Sequence, residues 1–524
     1  MTDKSRRTKH VLIVGGGTAG WLTACHLART LNGSSPDGVR VTLVESANIP
    51  TIGVGEGTVP AIRASLERLG IRETDFIRAC DVTFKQSIKF ADWLHAPGQG
   101  MGHTYHHVFD YPDRSVVDPT PYWLMGHAGN ASFADAVSVQ EYLCEGNFGP
   151  KLMTHAEYDG AVNYAYHLDA AKFAAFLTKH ATEKLGVTHI LANVTDVKLS
   201  GDGDIAAVVT DRAGTLEADM FVDCTGFAAL LIEKKLGVGF IPKDDVLFAD
   251  YALAAQVPYV REDEVIPCHT IATAQEAGWI WDIGLSARRG TGYVYSSKHT
   301  DHDRAEKVLR TYLRTSVGDL ADKVDCRRIP MRVGYREQYW VKNCVAIGLS
   351  QGFVEPLEAT GILIYDATAR MLAEQFPAHR AAMDTLAPRF NARVRNAWDR
   401  VIDFIKLHYC LSKRDDSQFW RDNRDEASIP ASLLDNLAVW RDQVPNAYDF
   451  SSKLDVFNLD NYLYVLYGME FETAMEPLGG RYADADTAQQ FFKEMRGYAE
   501  HLSSELLPHR ELIARIKHYG LQRV

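Results

Sequence analysis

No run of roughly 18 consecutive apolar residues occurs in this chain, so no segment is long enough to cross a bilayer as a helix. No basic block stands out either. Aspartate and glutamate (68) outnumber lysine and arginine (56), and a net charge of −12 argues against an extended phosphate-binding surface for nucleic acid. The eight cysteines are scattered, with no C-x-x-C pair and no small-domain spacing, which fits reduced thiols in a cytosol. The basic start M-T-D-K-S-R-R-T-K-H has the look of a signal peptide. Only V-L-I-V follows it before three glycines, too few residues for an apolar core segment. A cytoplasmic protein with no nucleic-acid or membrane partner and no metal site is expected. What is present is ordinary for an enzyme: 46% apolar, 10% aromatic and 24% charged residues, with no low-complexity tract or repeat.

The segment H-V-L-I-V-G-G-G-T-A-G-W-L-T-A-C-H-L-A-R-T-L reads as a buried strand, a tight glycine turn and a helix. Gly15, Gly17 and Gly20 fit G-x-G-x-x-G. The first permits the turn, the second lets the backbone approach a pyrophosphate, and the third lets helix pack closely on strand. Free N–H groups and the positive dipole end of the helix then face the phosphates. After the turn-rich N-G-S-S-P-D-G, a second strand ends at Glu45, where a carboxylate can accept hydrogen bonds from a ribose. Together these specify a dinucleotide site without choosing between NAD and FAD. Two later segments favour FAD. One is a second glycine-rich loop, G-V-G-E-G-T-V-P (53–60); the other is E-A-D-M-F-V-D-C-T-G-F, a strand that stops near Gly226, as in hydroxylase-type flavoproteins.

Three further segments narrow the chemistry. D-V-T-F-K-Q-S-I-K-F-A-D-W (81–93) reads as one strand, with Val82, Phe84, Gln86, Ile88 and Phe90 on one face and Thr83, Lys85, Ser87 and Lys89 on the other. Taken alone, the lysines read as a solvated face. N-C-V-A-I-G-L-S-Q-G-F-V-E-P-L-E-A-T-G-I (343–362) leads from an apolar strand through glycines into a helix. Backbone N–H groups around Thr360 and Gly361 sit where that helix begins and can hold a small anion, although without context this is a routine strand-to-helix turn. In G-W-I-W-D-I-G (278–284), Trp279, Trp281 and Ile283 share one face of a strand, as core or as a wall.

With V-G-G-G-T-A-G-W at the start, these segments make the chain similar, along most of its length, to the flavin-dependent tryptophan halogenases. The resemblance implies an enzyme that uses FAD as FADH2, delivered by a separate NAD(P)H-dependent flavin reductase, with oxygen and a halide ion (chloride or bromide). Lys85 matches the family's catalytic lysine and Glu358 its catalytic glutamate; Thr360 and Gly361 match the halide-binding pair. Gly15, Gly16, Gly17, Thr18, Ala19, Gly20, Glu45, Gly55 and Glu56 fall in FAD-binding segments, as do Val194, Leu349 and Ile362. Trp279, Trp281 and Ile283 stand where the family's W-x-W-x-I-P keeps organic substrates from the flavin, with Gly284 in place of the proline. The implied chemistry makes hypohalous acid at the halide and passes it through an internal tunnel to Lys85. The lysine either forms a haloamine or holds the acid by a hydrogen bond. Both versions need a nitrogen away from bulk water, where the pKa of an amine falls. Glu358 polarises the halogen donor or takes the proton from the ring intermediate.

His107 and Phe109 match the family's H-x-F segment, which sandwiches an indole, with Val108 where proline is frequent. The Y-Y…F-E…F-x-x-F-W-x-N stretch that closes over tryptophan is missing from 428–462. The flanking H-Y-C-L-S-K-R-D-D-S-Q-F-W and N-Y-L-Y-V-L-Y-G-M follow the family pattern. Free indole or a simple indole derivative is therefore expected as substrate rather than free tryptophan, and family membership suggests a homodimer. The rival readings are a flavin-dependent aromatic hydroxylase and a non-catalytic flavin-binding regulatory protein.

The expected fold is α/β: a Rossmann-type, flavin monooxygenase-like FAD domain with an inserted substrate-side β-sheet (1–383), then a mostly helical part (384–524) covering the substrate site. Short strands are expected over 185–223, sheet strands over 251–295, and helices over 302–317 and 365–376.

Overall fold

A computed structural model describes residues 7–33, 35–49, 55–98, 102–450, 456–476 and 479–522. Gly53 and Val54 of the second glycine loop, and 451–455 of the shortened region, lie outside the described residues.

At the centre is a six-stranded sheet in the order Trp340–Val341, Cys344–Ala346, Met220–Asp223, His10–Val14, Arg40–Glu45, Thr188–Leu191. Its pairs are parallel except the first. The unalternating V-L-I-V run is explained by this position, because a central parallel strand is buried on both faces. The turn after it needs glycine. Gly15 has φ +110°, and a Cβ there would stand 2.1 Å from the Cys224 carbonyl oxygen. Helix Thr18–Thr30 follows and packs against helix Thr360–Glu374, which begins earlier than the expected 365–376 because its first turn is hidden in A-T-G. Helix His302–Val317 and the short strands of 185–223 form as expected.

A seven-stranded sheet forms the substrate side, in the order Cys326–Pro330, Tyr251–Pro258, Arg288–Tyr295, Gly278–Gly284, Thr270–Gln275, Ser87–Ala91, Thr104–Val108. Only the pairing of Thr270–Gln275 with Ser87–Ala91 is parallel.

The segment 81–93 departs from the single strand expected. It forms two strands in two sheets: Thr83–Lys85 joins Ala165–Asp169 and Gly55–Gly57, while Ser87–Ala91 joins the substrate-side sheet. The change of sheet occurs at Gln86, whose N–H bonds the Cys268 carbonyl (2.8 Å) and whose amide bonds that of Phe148 (2.7 Å). No solvated lysine face results. Thr83, Lys85 and Ser87 are buried, because material covers both faces where two sheets meet, and only Lys89 reaches the edge, paired to Glu145 at 2.5 Å.

The helical part begins with Arg380–Cys410 and continues through Ala431–Asp442, Leu459–Gly468, Ala485–Glu505 and His509–Tyr519. The first helix buries Phe390, Val394, Val401, Phe404 and Ile405, each worth roughly 1.5–3 kcal/mol relative to exposure. One hydrophobic cluster joins these residues to Val11, Trp21 and Trp279, so the helices share the core of the sheets. Among the described residues no helix is long and apolar enough to cross a membrane.

Candidate active site

A cavity of about 530 Å³ opens along the glycine turn. Its lining includes Gly15, Gly16, Gly17, Thr18, Ala19 and Glu45, with Gly55, Glu56, Val194, Leu349 and Ile362, and also Lys85, Trp279, Trp281 and Ile283. Gly20 lies under the turn instead, where a Cβ would stand 2.0 Å from the Gly15 carbonyl oxygen; its role is close packing. Glu45 is fixed at the wall. One oxygen accepts from His189 Nε2 at 2.8 Å, and the other lies where a Cβ on Gly16 would be. Burial raises the pKa of Glu45, opposed by His189. Burial and the nearby Asp169 push Glu56 up to about 7. A helix N-terminus for a pyrophosphate, a fixed acid for a ribose and an apolar wall for a ring system fit FAD.

Lys85 lines this cavity and is 1% exposed, although its side chain is charged in water. Its Nζ donates to the Thr58 carbonyl at 3.0 Å and lies 5.2 Å from the centre of the Phe109 ring. Burial lowers its pKa to about 8, against the pull of Glu358.

Glu358 is also 1% exposed. Two histidines address it: His107 Nδ1 at 2.9 Å and His408 Nε2 at 3.0 Å. The tautomer of His107 follows from its other partner. Asn461 accepts the Asn458 N–H through Oδ1 (2.9 Å), so its amide N–H donates to His107 Nε2 (2.9 Å), and the proton of His107 sits on Nδ1. Tyr105 Oη and His408 Nδ1 share a hydrogen bond at 2.7 Å in which either can donate. One N–H, that of His107, thus points at the carboxylate, while His408 Nε2 stands 3.0 Å away outside hydrogen-bond geometry. Burial alone would raise the pKa of Glu358, but His107 and His408 hold it down to about 2, so it is a fixed anion.

The helix Thr360–Glu374 starts beside these groups. Ala359 adopts the left-handed conformation (φ 55°), which turns the chain into the helix. Gly361 lines the cavity, and next to it the buried Thr360 Oγ1 has no hydrogen-bond partner. A free hydroxyl beside the N–H groups that open a helix can hold a small anion. Across the cavity, Trp279 Nε1 donates to Glu355 Oε2 at 2.7 Å, and Tyr409 O–H donates to the same oxygen at 2.6 Å.

The sequence reading missed Thr58, Thr270, His408, Tyr105, Asn461, Glu355 and Tyr409. His408 and Tyr409 stand in H-Y-C-L-S-K-R, a segment that follows the family pattern, and that was the available signal.

The tryptophan halogenase family profile matches residues 10–484. The chain belongs to the tryptophan halogenase family. It is 38% identical over 464 residues to tryptophan 6-halogenase SttH of Streptomyces toxytricini, covering 84% of this chain and 86% of that one. It superposes on a tryptophan halogenase of Shewanella frigidimarina with a TM-score of 0.95 at 43% identity, covering 99% and 100% of the two chains. For BrvH, a flavin-dependent halogenase from Brevundimonas sp. BAL3, the values are 0.85 and 34%, covering 97% and 99%. The protein is therefore a flavin-dependent halogenase, an oxidoreductase that uses FADH2 and halide, depends on a separate flavin reductase and acts on an aromatic substrate. The hydroxylase and regulatory-protein readings give way to this one.

Proposed function

We propose that this halogenase makes hypohalous acid beside Thr360 and Gly361, passes it to Lys85, and halogenates free indole or a simple indole derivative in preference to free tryptophan. Gly15 to Ala19, Glu45, Gly55, Glu56, Val194, Leu349 and Ile362 would hold FAD. Bound there, reduced flavin would supply two electrons to oxygen and the halide the other two, leaving hypohalous acid and water. Trp279, Trp281 and Ile283 keep the aromatic substrate away from the flavin, and the acid leaves along the cavity toward Lys85. The lysine acts as its amine, the form that burial favours. It takes the halogen as a haloamine, and the oxygen leaves as water. Glu358, anionic between His107 and His408, accepts the ring proton once the carbon–halogen bond has formed. Phe109, packed on Lys85, and His107 border the substrate.

The observation that carries this reading is the burial of Lys85 in the lining of the cavity, with Glu358 held as an anion by the hydrogen bond from His107 and the adjacent His408. Preference for indole is supported by the helix Leu459–Gly468. Its capping residue Asn458 and its first turn close directly on His107 through Asn461, in the region where a lid over an amino acid would have to stand. Among the described residues there, Asp460 pairs with Arg114 at 2.5 Å and Asp449 accepts from Trp440 at 3.0 Å, so neither of these two is free to bind an amine. Chloride and bromide both suit a site lined by backbone N–H groups, and the enzyme works as a homodimer. Mass spectrometry and NMR of the products from indole and from tryptophan test the substrate assignment. Indole is expected to be halogenated at its most electron-rich ring carbon; efficient halogenation of the benzo ring of tryptophan would contradict it.

A further inference from the structure

Where the cavity reaches Lys85, several side chains meet around one point. A Cβ built on Gly57 would stand 3.4 Å from Lys85 Nζ, 3.6 Å from Thr270 Oγ1 and 3.7 Å from Ala359 Cβ. Apart from the lysine, the only polar side-chain atom in that set is the Thr270 hydroxyl, and Thr270 lines the cavity. Its oxygen lies 2.8 Å from His167 Nε2. His167 is completely buried on the strand Ala165–Asp169, next to the strand that carries Lys85, and its Nδ1 has no hydrogen-bond partner. Burial, with Lys85 nearby, holds this imidazole well below its usual pKa, so it is neutral and has one donor and one acceptor nitrogen. An orphaned buried N–H is rarer than an under-used acceptor and leaves a donor desolvated without compensation. The proton therefore belongs on Nε2, donating to Thr270 Oγ1, and the bare Nδ1 is the acceptor. This arrangement occupies the oxygen of Thr270 and leaves its own O–H free to donate into the cavity that Lys85 also lines.

We propose that Thr270 is a further catalytic residue, whose O–H donates to the oxygen of hypohalous acid and so presents the halogen to Lys85, with His167 as the positioning residue behind it. The proposal rests on the hypohalous-acid reading above. In the step it assists, the Lys85 amine attacks the halogen, the N–halogen bond forms and the halogen–oxygen bond breaks. The amine's proton goes to the departing oxygen, giving haloamine and water. A donor on that oxygen stabilises the charge that builds there as the bond breaks, and keeps the acid from diffusing away unreacted.

The test uses the holoenzyme with a flavin reductase, halide and indole, comparing wild type, Thr270→Val, Thr270→Ser, His167→Phe and the Thr270→Val/His167→Phe double variant. Product per oxygen consumed is measured, and free hypohalous acid is trapped with a 1,3-diketone. In Thr270→Val, which keeps the shape and removes the hydroxyl, product per oxygen falls at least tenfold while trapped acid rises. Thr270→Ser recovers most of the loss. His167→Phe gives a smaller shift in the same direction and adds nothing on top of Thr270→Val. Wild-type product per oxygen in Thr270→Val would overturn the proposal, and so would a loss that serine fails to restore with no rise in trapped acid. If wild type itself yields neither trapped acid nor halogenated indole, the hypohalous-acid reading falls and takes this step with it.

Discussion

Lys85 and Glu358 are buried groups that their surroundings both push toward the deprotonated form, neutral for the lysine and charged for the glutamate. Burial favours the neutral lysine, with a pKa of about 8, and the neighbouring His107 and His408 favour the ionised glutamate, with a pKa of about 2. The amine is the reactive form. Product formation at saturating substrate should therefore rise about tenfold per pH unit on the acid side and level off above about pH 8, with no contribution from Glu358 in that range. A flat profile between pH 6 and 9, with the flavin supply held constant, would remove the amine from the mechanism. Glu358→Gln keeps the shape of the side chain and loses the base. Halogenation should fall by roughly 10²–10⁴-fold with FAD still bound, as seen in single-turnover product yield. The candidacy of these two residues was legible only through the family motif. As residue types in a pattern, a lysine in T-F-K and a glutamate in P-L-E-A-T read as surface charges. What changes that reading is burial by elements far away in the chain, together with the partners His107 and His408, and local spacing carries no such information.

At the scale of elements, the strand Gly278–Gly284 was readable as a stripe, and its period-two face does line the cavity. What fixes it was not readable. Trp279 and Tyr409 share one oxygen of Glu355, joining that strand to the helix Arg380–Cys410. Glu355→Ala would orphan two buried donors at a cost of about 1–3 kcal/mol each, read as a lowered denaturant midpoint at unchanged slope. The strand Gly55–Gly57 makes a second prediction. Gly57 has no backbone strain to forbid a side chain, but its Cβ would enter the space shared by Lys85 Nζ and Thr270 Oγ1. Gly57→Ala should fold and bind FAD yet give several-fold less halogenated product per oxygen; equal yield would show that the acid does not pass this point. The misread element is equally instructive. The alternation over 81–93 was real, but the inference of one strand with a wet face failed, because the chain leaves one sheet for another at Gln86 and both faces are covered.

Across the whole molecule, the first strand, glycine turn and helix and the helical C-terminal part followed from periodicity and turn chemistry. The assembly of the site did not. His408, Tyr409 and Asn461 reach a centre built from the N-terminal sheets, and contacts of such long sequence separation leave no trace in local pattern. That the helices share one hydrophobic cluster with the sheets explains how a site composed of both can hold its geometry. The account rests on the transfer of oxidised halogen to Lys85, and Lys85→Ala tests this most directly. The variant and the wild type are given FAD, a flavin reductase, NADH, halide and indole, and oxygen consumption and halogenated product are followed together. Lys85→Ala is predicted to bind FAD and consume oxygen but to release no halogenated indole, while appreciable halogenation by the variant would contradict the role given to Lys85.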